Sequence, residues 1–531
     1  MLNKTKETMR SKSHENFMGG PSYDLSPFAR LFVMAVSSFF GEDGYYSSTR
    51  RGSAKHVSYL GSVFGSFGDA LDELMTSQDR GESMRKAIEE SMAYDAKLTL
   101  HFLVWLRTKA LMRATPAVGL AVASHCPEIR GTGMLNTVSD KVLSRLDDVT
   151  NCLAYCLDTY GKPIPNSLKK ALAKRLEKAS EYELAKYAGK NKKVSLKSVI
   201  RLTHPHSDAI DKFCREEISQ ATEGQETWEA ILSAEGASKK SWEKAIPVMG
   251  HMALLRNLRN FEKYGVDESL YLDKLVAGVE KGKQLPFRYY SAWVNVTSHK
   301  LKEALEKCID KSIVNLPQFE GKSLILVDNS GSATGTYVSA MSNTTVSVCG
   351  NLMGVLTGMV SESGKIGVFG DKISYLPINK GMKGSVLGIL DTVNKMGDHV
   401  GAATENGIWL ALDDIIRSGE KFDRIFIYSD MQAGHGGLYG IGNAYPLYPS
   451  AFSSERYIDV PKLVQEYRNK VNPDCKLYSI QIGGYSDNIF PEFYPNTCIM
   501  GGWSTEILKF AKMFEKDPAK IEDLFRKEFD L

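Results

Sequence analysis

The hydrophobic rhythm of the 531-residue chain changes once, near residue 317. Before that point apolar side chains recur at spacings of three and four, the period of a helix that buries one face. The pattern is clearest over residues 94–108, 165–179, 181–188, 243–264 and 267–280, and strand-like alternation is scarce between about residues 22 and 316. Local start signals agree. Asn166 is placed to cap a helix beginning at about Ser167, and Asp267 precedes Glu268 and an apolar run. Many consecutive helices with short connections predict stacked helical pairs, an α-solenoid, although no clean fixed-period repeat is present.

After Pro317 short apolar runs alternate with helical segments. Strands are expected at 323–327, 365–369, 424–428, 476–482 and 497–500, with helices at 346–361, 405–418, 460–470 and 505–514. Such alternation predicts a doubly wound parallel sheet. The expected organisation is a flexible polar tail over residues 1–21, a helical domain over 22–318 and an α/β domain over 319–531.

Composition narrows the class. Apolar residues make up 43% of the chain and charged ones 24%, as in a soluble globular protein. No apolar run approaches the roughly 20 residues of a membrane span, and the N-terminus lacks the apolar core of a secretory signal. Eight scattered cysteines form no Cys-x-x-Cys pair, which fits a reduced cytoplasmic setting. A monomer with no membrane partner is expected.

The net charge of +3 is unremarkable, but its distribution is not. Between Lys162 and Arg201 stand twelve Lys and Arg against three acids, Glu177, Glu181 and Glu183. Lys169, Lys170, Lys186, Lys190, Lys192, Lys193, Lys197 and Arg201 form a candidate phosphate-binding patch, with His204 and His206 beside it. A solvated face of Lys-rich helices fits the same composition.

The first expected strand, Leu324-Ile325-Leu326-Val327, runs directly into Asp328-Asn329-Ser330-Gly331-Ser332. In an open α/β sheet ligands bind at the carboxyl ends of strands. This loop offers a carboxylate and two hydroxyls at alternating positions, oxygen donors of the kind Mg²⁺ prefers. Thr404 stands at the entrance of the 405–418 helix, and the 424–428 strand ends in Ser429-Asp430. Asp328, Ser330, Ser332, Thr404 and Asp430 together resemble the metal-ion-dependent adhesion site of von Willebrand factor A-type domains. That resemblance implies a divalent ion, Mg²⁺, with an open position for an acidic oxygen of a partner. Ala402-Ala403-Thr404-Glu405 replaces the family's Gly-Gly-Thr-Asp, so the acid here is one methylene longer.

Several strings in the helical half resemble the TROVE module of the Ro ribonucleoprotein family. They are Ala29-Arg30-Leu31-Phe32 with Gly44-Tyr45-Tyr46, then the segment from Lys162-Pro163-Ile164-Pro165 to Lys170, and residues 182–187 and 196–204. Ile246-Pro247 and Leu254-Leu255-Arg256-Asn257-Leu258 follow. The resemblance implies HEAT-like repeats that close into a ring, bridged by the A-type domain. It also implies small structured non-coding RNA on the outer basic surface and single-stranded RNA ends in the central hole. The function it points to is RNA quality control, or tethering of RNA to a partner such as an exoribonuclease, without catalysis. Arg256 and Asn257 either line the ring's interior or bond loops between helices. The alternative reading is a module that captures an acidic protein partner through the metal.

Other chemistry finds little support. Gly321-Lys322-Ser323 lacks the upstream glycine of a phosphate-binding loop and precedes its strand. Ser330 has no nucleophile elbow, and His204-Pro205-His206 has no third zinc ligand in view.

Overall fold

The computed structural model describes residues 13–15, 21–36, 77–188, 194–218, 227–282, 284–314, 316–337, 344–382, 384–402, 405–433, 459–484, 487–492 and 494–531. Two compact units emerge. One is helical and runs from residue 77 to Ser312; the other gathers residues 13–15, 21–36 and 313–531.

In the helical unit most helices pack chiefly on the next or next but one, as stacked pairs do. The periodic stretches break where the backbone requires it. Residues 94–108 divide at Asp95, whose carboxylate accepts the Leu98 N–H at 2.9 Å and starts the helix Ala96–Thr108. Residues 243–264 divide at Pro247, which has no N–H to continue a ladder; a 3₁₀ turn, Ile246–Val248, separates Lys239–Ala245 from His251–Lys263. Asp267 does cap, but it caps the 3₁₀ turn Glu268–Leu270, followed by the short helices Leu272–Ala277 and Val279–Gly282. Asn166 is not a cap. The Pro165 carbonyl already accepts from Lys169 N–H, so the helix starts one residue earlier, as Asn166–Glu177. His251 is buried with its Nε2 at 3.1 Å from Tyr289 Oη, and burial lowers its pKa. Gly282 leaves the space that the His251 ring fills.

In the second unit two short strands, β1 (Ser13–Glu15) and β2 (Pro21–Tyr23), pair antiparallel. The main sheet holds β3 (Phe319–Asp328), β4 (Ser361–Phe369), β5 (Ile373–Ile378), β6 (Arg424–Ser429), β7 (Lys476–Gln481) and β8 (Thr497–Gly501), in the order β5-β4-β3-β6-β7-β8. Five strands are parallel as expected. The sixth, edge strand β5, which the sequence reading does not include, pairs antiparallel to β4. Its Pro377 suits an edge, where one side of the strand needs no ladder bond.

Side chains alternate between two apolar layers. Leu324, Leu326, Ile425, Ile427 and Leu477 join the helices Gly407–Ser418 and Val460–Lys470 in one core. On the other face Val327, Tyr428 and Tyr478 meet the helices Val346–Met359 and Glu506–Lys516. Strands buried on both faces read as continuous apolar runs, which is why β3 and β6 stand out in the sequence.

The helix Pro27–Val36 corrects the expected domain boundary. It packs on β8 in the α/β unit, not among the solenoid helices. Phe28 and Phe32 set their rings 5.5 and 5.2 Å from Phe525, and Gly502, at φ 95°, admits the Val36 backbone. Ser26 N–H and Oγ–H donate to Glu492 at 2.6 and 2.9 Å, and Tyr23 N–H donates to the Asn488 carbonyl. The tail expectation for residues 1–21 falls largely outside the described residues, but β1 within it is paired.

Helix Val346–Met359 presents Gly350, Gly354 and Gly358 to the sheet at intervals of four. A methyl on them would strike Ile482, Val327 and Ile378 respectively. Gly354→Ala gains helix propensity but is expected to lose about 1–3 kcal/mol net, because Val327 is held in the core. Chemical denaturation checks this, and a stabilised variant contradicts the close packing.

Candidate metal centre and basic surface

Parallel pairing of β3 with β6 puts Val327 beside Tyr428, so the residues that follow, Asp328 and Asp430, stand together at the sheet's carboxyl edge. Glu405 approaches from the segment before helix Gly407–Ser418. One carboxylate oxygen from each of the three lies within 4.8 Å of the others, and all three residues are buried. Asp328 Oδ1 accepts the Ser330 N–H at 2.8 Å, and Ser330 Oγ lies 3.1 Å from Ser332 Oγ. Glu405 accepts the Ser429 hydroxyl at 2.7 Å and the Gln432 N–H at 3.2 Å. Met431, directly after Asp430, adopts φ 65°, a left-handed conformation uncommon for a residue with a side chain. Such strain tends to gather at functional sites.

Three buried like charges repel. Burial first, then the charge of Asp430, pushes the Asp328 carboxyl up to about 7. Burial, then Asp328 and Asp430, holds Glu405 well above its ordinary value. Asp328 Oδ2 and Asp430 Oδ2 are buried with no hydrogen-bond donor among the described residues. A hard divalent cation fits this set, since it would neutralise the cluster and take up both orphaned oxygens. Asp328, Glu405 and Asp430 would supply carboxylates, and Ser330 and Ser332 hydroxyls. Thr404 lies outside the described residues. Glu405 enters the sequence reading only as a departure from a family pattern, and the fold makes it the third acid.

The basic stripe divides. Lys174 and Lys178 both pair with Asp140, at 2.9 and 2.7 Å, and Lys197 pairs with Glu216 at 2.6 Å. Arg175 turns inward, donating to the Leu143 and Ser144 carbonyls and to Glu183. Lys169 is half-buried and Lys170 and Arg201 are exposed; none of the three forms an ion pair among the described residues. They sit on Asn166–Glu177 and Leu196–Thr203, two helices packed on one another. Exposed Lys186 places Nζ 5.7 Å from the ring centre of Tyr182, and His204 and His206 are exposed. Lys190, Lys192 and Lys193 lie outside the described residues. Arg256 is exposed. Asn257 is buried, donating to the Ala253 carbonyl at 2.9 Å and accepting from Asn260, so its amide is committed within its own helix.

Among the described residues no helix is long and apolar enough to cross a membrane. Residues 221–323 match the family model of the TROVE domain. The crystal structure of the Deinococcus radiodurans Ro protein (RSR) superposes with a TM-score of 0.53 at 13% identity, covering 92% of this chain and 99% of that one. The chain therefore shares the fold of that Ro protein over most of its length. A mutant of the PilB minor pilin from Streptococcus sanguinis aligns with a TM-score of only 0.25, at 14% identity over 40% of this chain and 64% of that one. No curated protein sequence matches the chain.

A carboxyl whose folded-state pKa exceeds its unfolded value stabilises the fold while protonated and loses that contribution as pH rises through the folded value. In chelator the α/β unit is therefore expected to lose stability from about pH 4 upward through about 7. Mg²⁺ at about 100 times its Kd should restore about 2.7 kcal/mol, with tighter binding as pH rises. Asp328→Asn should flatten both effects in thermal melts. A wild-type melting temperature indifferent to Mg²⁺ and Mn²⁺ at pH 8 sinks the metal assignment.

Proposed function

We propose, from the chain's place with the Ro/TROVE family, that it is an RNA-binding protein that acts without catalysis. The observation that carries this reading is the TROVE-domain match over residues 221–323, set in a chain whose fold follows the Ro architecture. Its ligands are small structured non-coding RNA on the basic surface and single-stranded ends of misfolded RNA in a central opening. The role is RNA quality control in the cytoplasm, or delivery of RNA to an exoribonuclease.

The charge arrangement supports the reading. Lys169, Lys170 and Arg201 are cations without an ion-pair partner among the described residues, on two packed helices, the first of which Arg175 ties to the 143–144 carbonyls. Cations of this kind neutralise phosphates and release counterions, so they position RNA without reading its sequence. Tyr182, 41% exposed beside Lys186, adds an aromatic face on which an unpaired base can stack.

The buried acidic triad favours a second, compatible role. A metal held by Asp328, Glu405 and Asp430 would, as the resemblance to A-type domains implies, recruit an acidic side chain of a protein partner. Such a partner is expected to dissociate in chelator and to be lost in Asp328→Ala, while RNA binding persists in both. A partner held equally well in chelator removes this role.

RNA affinity is expected to fall steeply with salt. Reversing Lys169, Lys170, Lys192 and Lys193 to Glu should reduce the slope of log K against log salt by about 0.7–0.9 for each phosphate that is no longer neutralised. Fluorescence anisotropy with a structured small RNA measures it. An unchanged slope in the reversed protein places the interface elsewhere.

A further inference from the structure

Asn329 occupies the position between Asp328 and Ser330, yet its side chain takes no part in the cluster of oxygen ligands. Its Nδ2 donates to Asn351 Oδ1 at 2.9 Å, and its Oδ1 accepts from Asn351 Nδ2 at 2.9 Å. The two amides thus close on each other as a self-complementary pair. Asn351 lies in helix Val346–Met359 and is 1% exposed; its Nδ2 donates onward to Asn394 Oδ1 at 2.8 Å, in helix Val386–Gly397. At the end of that helix Gly397 has no side chain, and a methyl there would strike Asn329 Oδ1. The loop backbone is held as well. Asn329 N–H donates to the Phe369 carbonyl and Gly331 N–H to the Ala402 carbonyl, both at 2.7 Å.

Three linked amides packed between helices and sheet call for a physical reason, since a leucine could fill much of the same space without needing partners. Their chain begins on the residue flanked by two of the oxygen donors. Fixing the Asn329 side chain fixes the backbone between Asp328 and Ser330, and with it the direction of both groups. The amides are neutral, so they add no charge to a cluster that already holds three acids. Partners of this kind, one step behind the ligands, orient them and tune affinity.

We propose that Asn329, Asn351 and Asn394 are positioning residues for the metal centre, an amide chain that holds the loop 328–332 in ligand-ready shape before the ion arrives. The proposal rests on the reading of Asp328, Glu405 and Asp430 as a metal site.

Calorimetric titration of the full-length protein with Mn²⁺ tests it, alongside melts in chelator. Asn351→Leu keeps the volume and removes the amide; its Kd for Mn²⁺ is expected to rise roughly 10–100-fold. Asn394→Ala removes the outer hydrogen bond of the chain at a half-buried position and should fold even if Asn351→Leu does not; about a fivefold rise is expected. A merely structural role lowers the melting temperature in chelator and leaves Kd unchanged, and that outcome in the folded variants overturns the proposal. Wild-type protein that takes up no Mn²⁺ is a separate result, which removes the metal reading itself and the proposal with it.

Discussion

Three buried carboxylates, each with an oxygen within 4.8 Å of the others, cannot all remain charged without a counter-ion, and much of the α/β unit is arranged around that constraint. The strand order sets β3 beside β6, so that Asp328 and Asp430 emerge at the same edge. Glu405 is tied in by Ser429 and Gln432. Gln481 donates to the Asp430 carbonyl, while Gln432 donates to Asp487, next to the Asn488 that bonds the N-terminal segment. The cluster is thus braced by groups from four separate stretches of chain. None of those braces is a cation. Among the described residues the balancing charge is thus left to a bound ion or a retained proton.

How much of this can be read in the sequence depends on how local each signal is. Asp328, Ser330, Ser332 and Asp430 stand at the ends of strongly apolar runs, so their place at strand termini is legible. Glu405 is not, because its role arises only when the segment before a helix folds across two strand ends. β5 has half-buried residues and an internal proline, which mutes its alternation. The helix Pro27–Val36 is plainly apolar, yet nothing local assigns it to the α/β unit; the partners of Ser22 and Ser26, Asn488 and Glu492, are 466 positions away. Asn351 and Asn394 carry no signal at all, since asparagine in a sequence reads as surface or turn.

The helical unit teaches a related lesson about charge. Twelve basic residues in forty positions look uniform on paper. In the fold some of them, Arg175 above all, hold helices and turns together, while others face solvent beside nearby acids. The cations left for a polyanion are fewer than composition implies, and they are defined by what they lack among the described residues, an acidic partner. The same division separates Arg256, which is exposed, from Asn257, whose amide is occupied within its helix.

The central claim is that this chain holds RNA on the basic face of its helical unit. Sequencing the nucleic acid that copurifies with the protein from its own host, wild type beside the reversal of Lys169, Lys170, Lys192 and Lys193, tests it most directly. The account predicts small structured RNA enriched with the wild type and lost from the variant. Nucleic-acid-free protein from both preparations would contradict it.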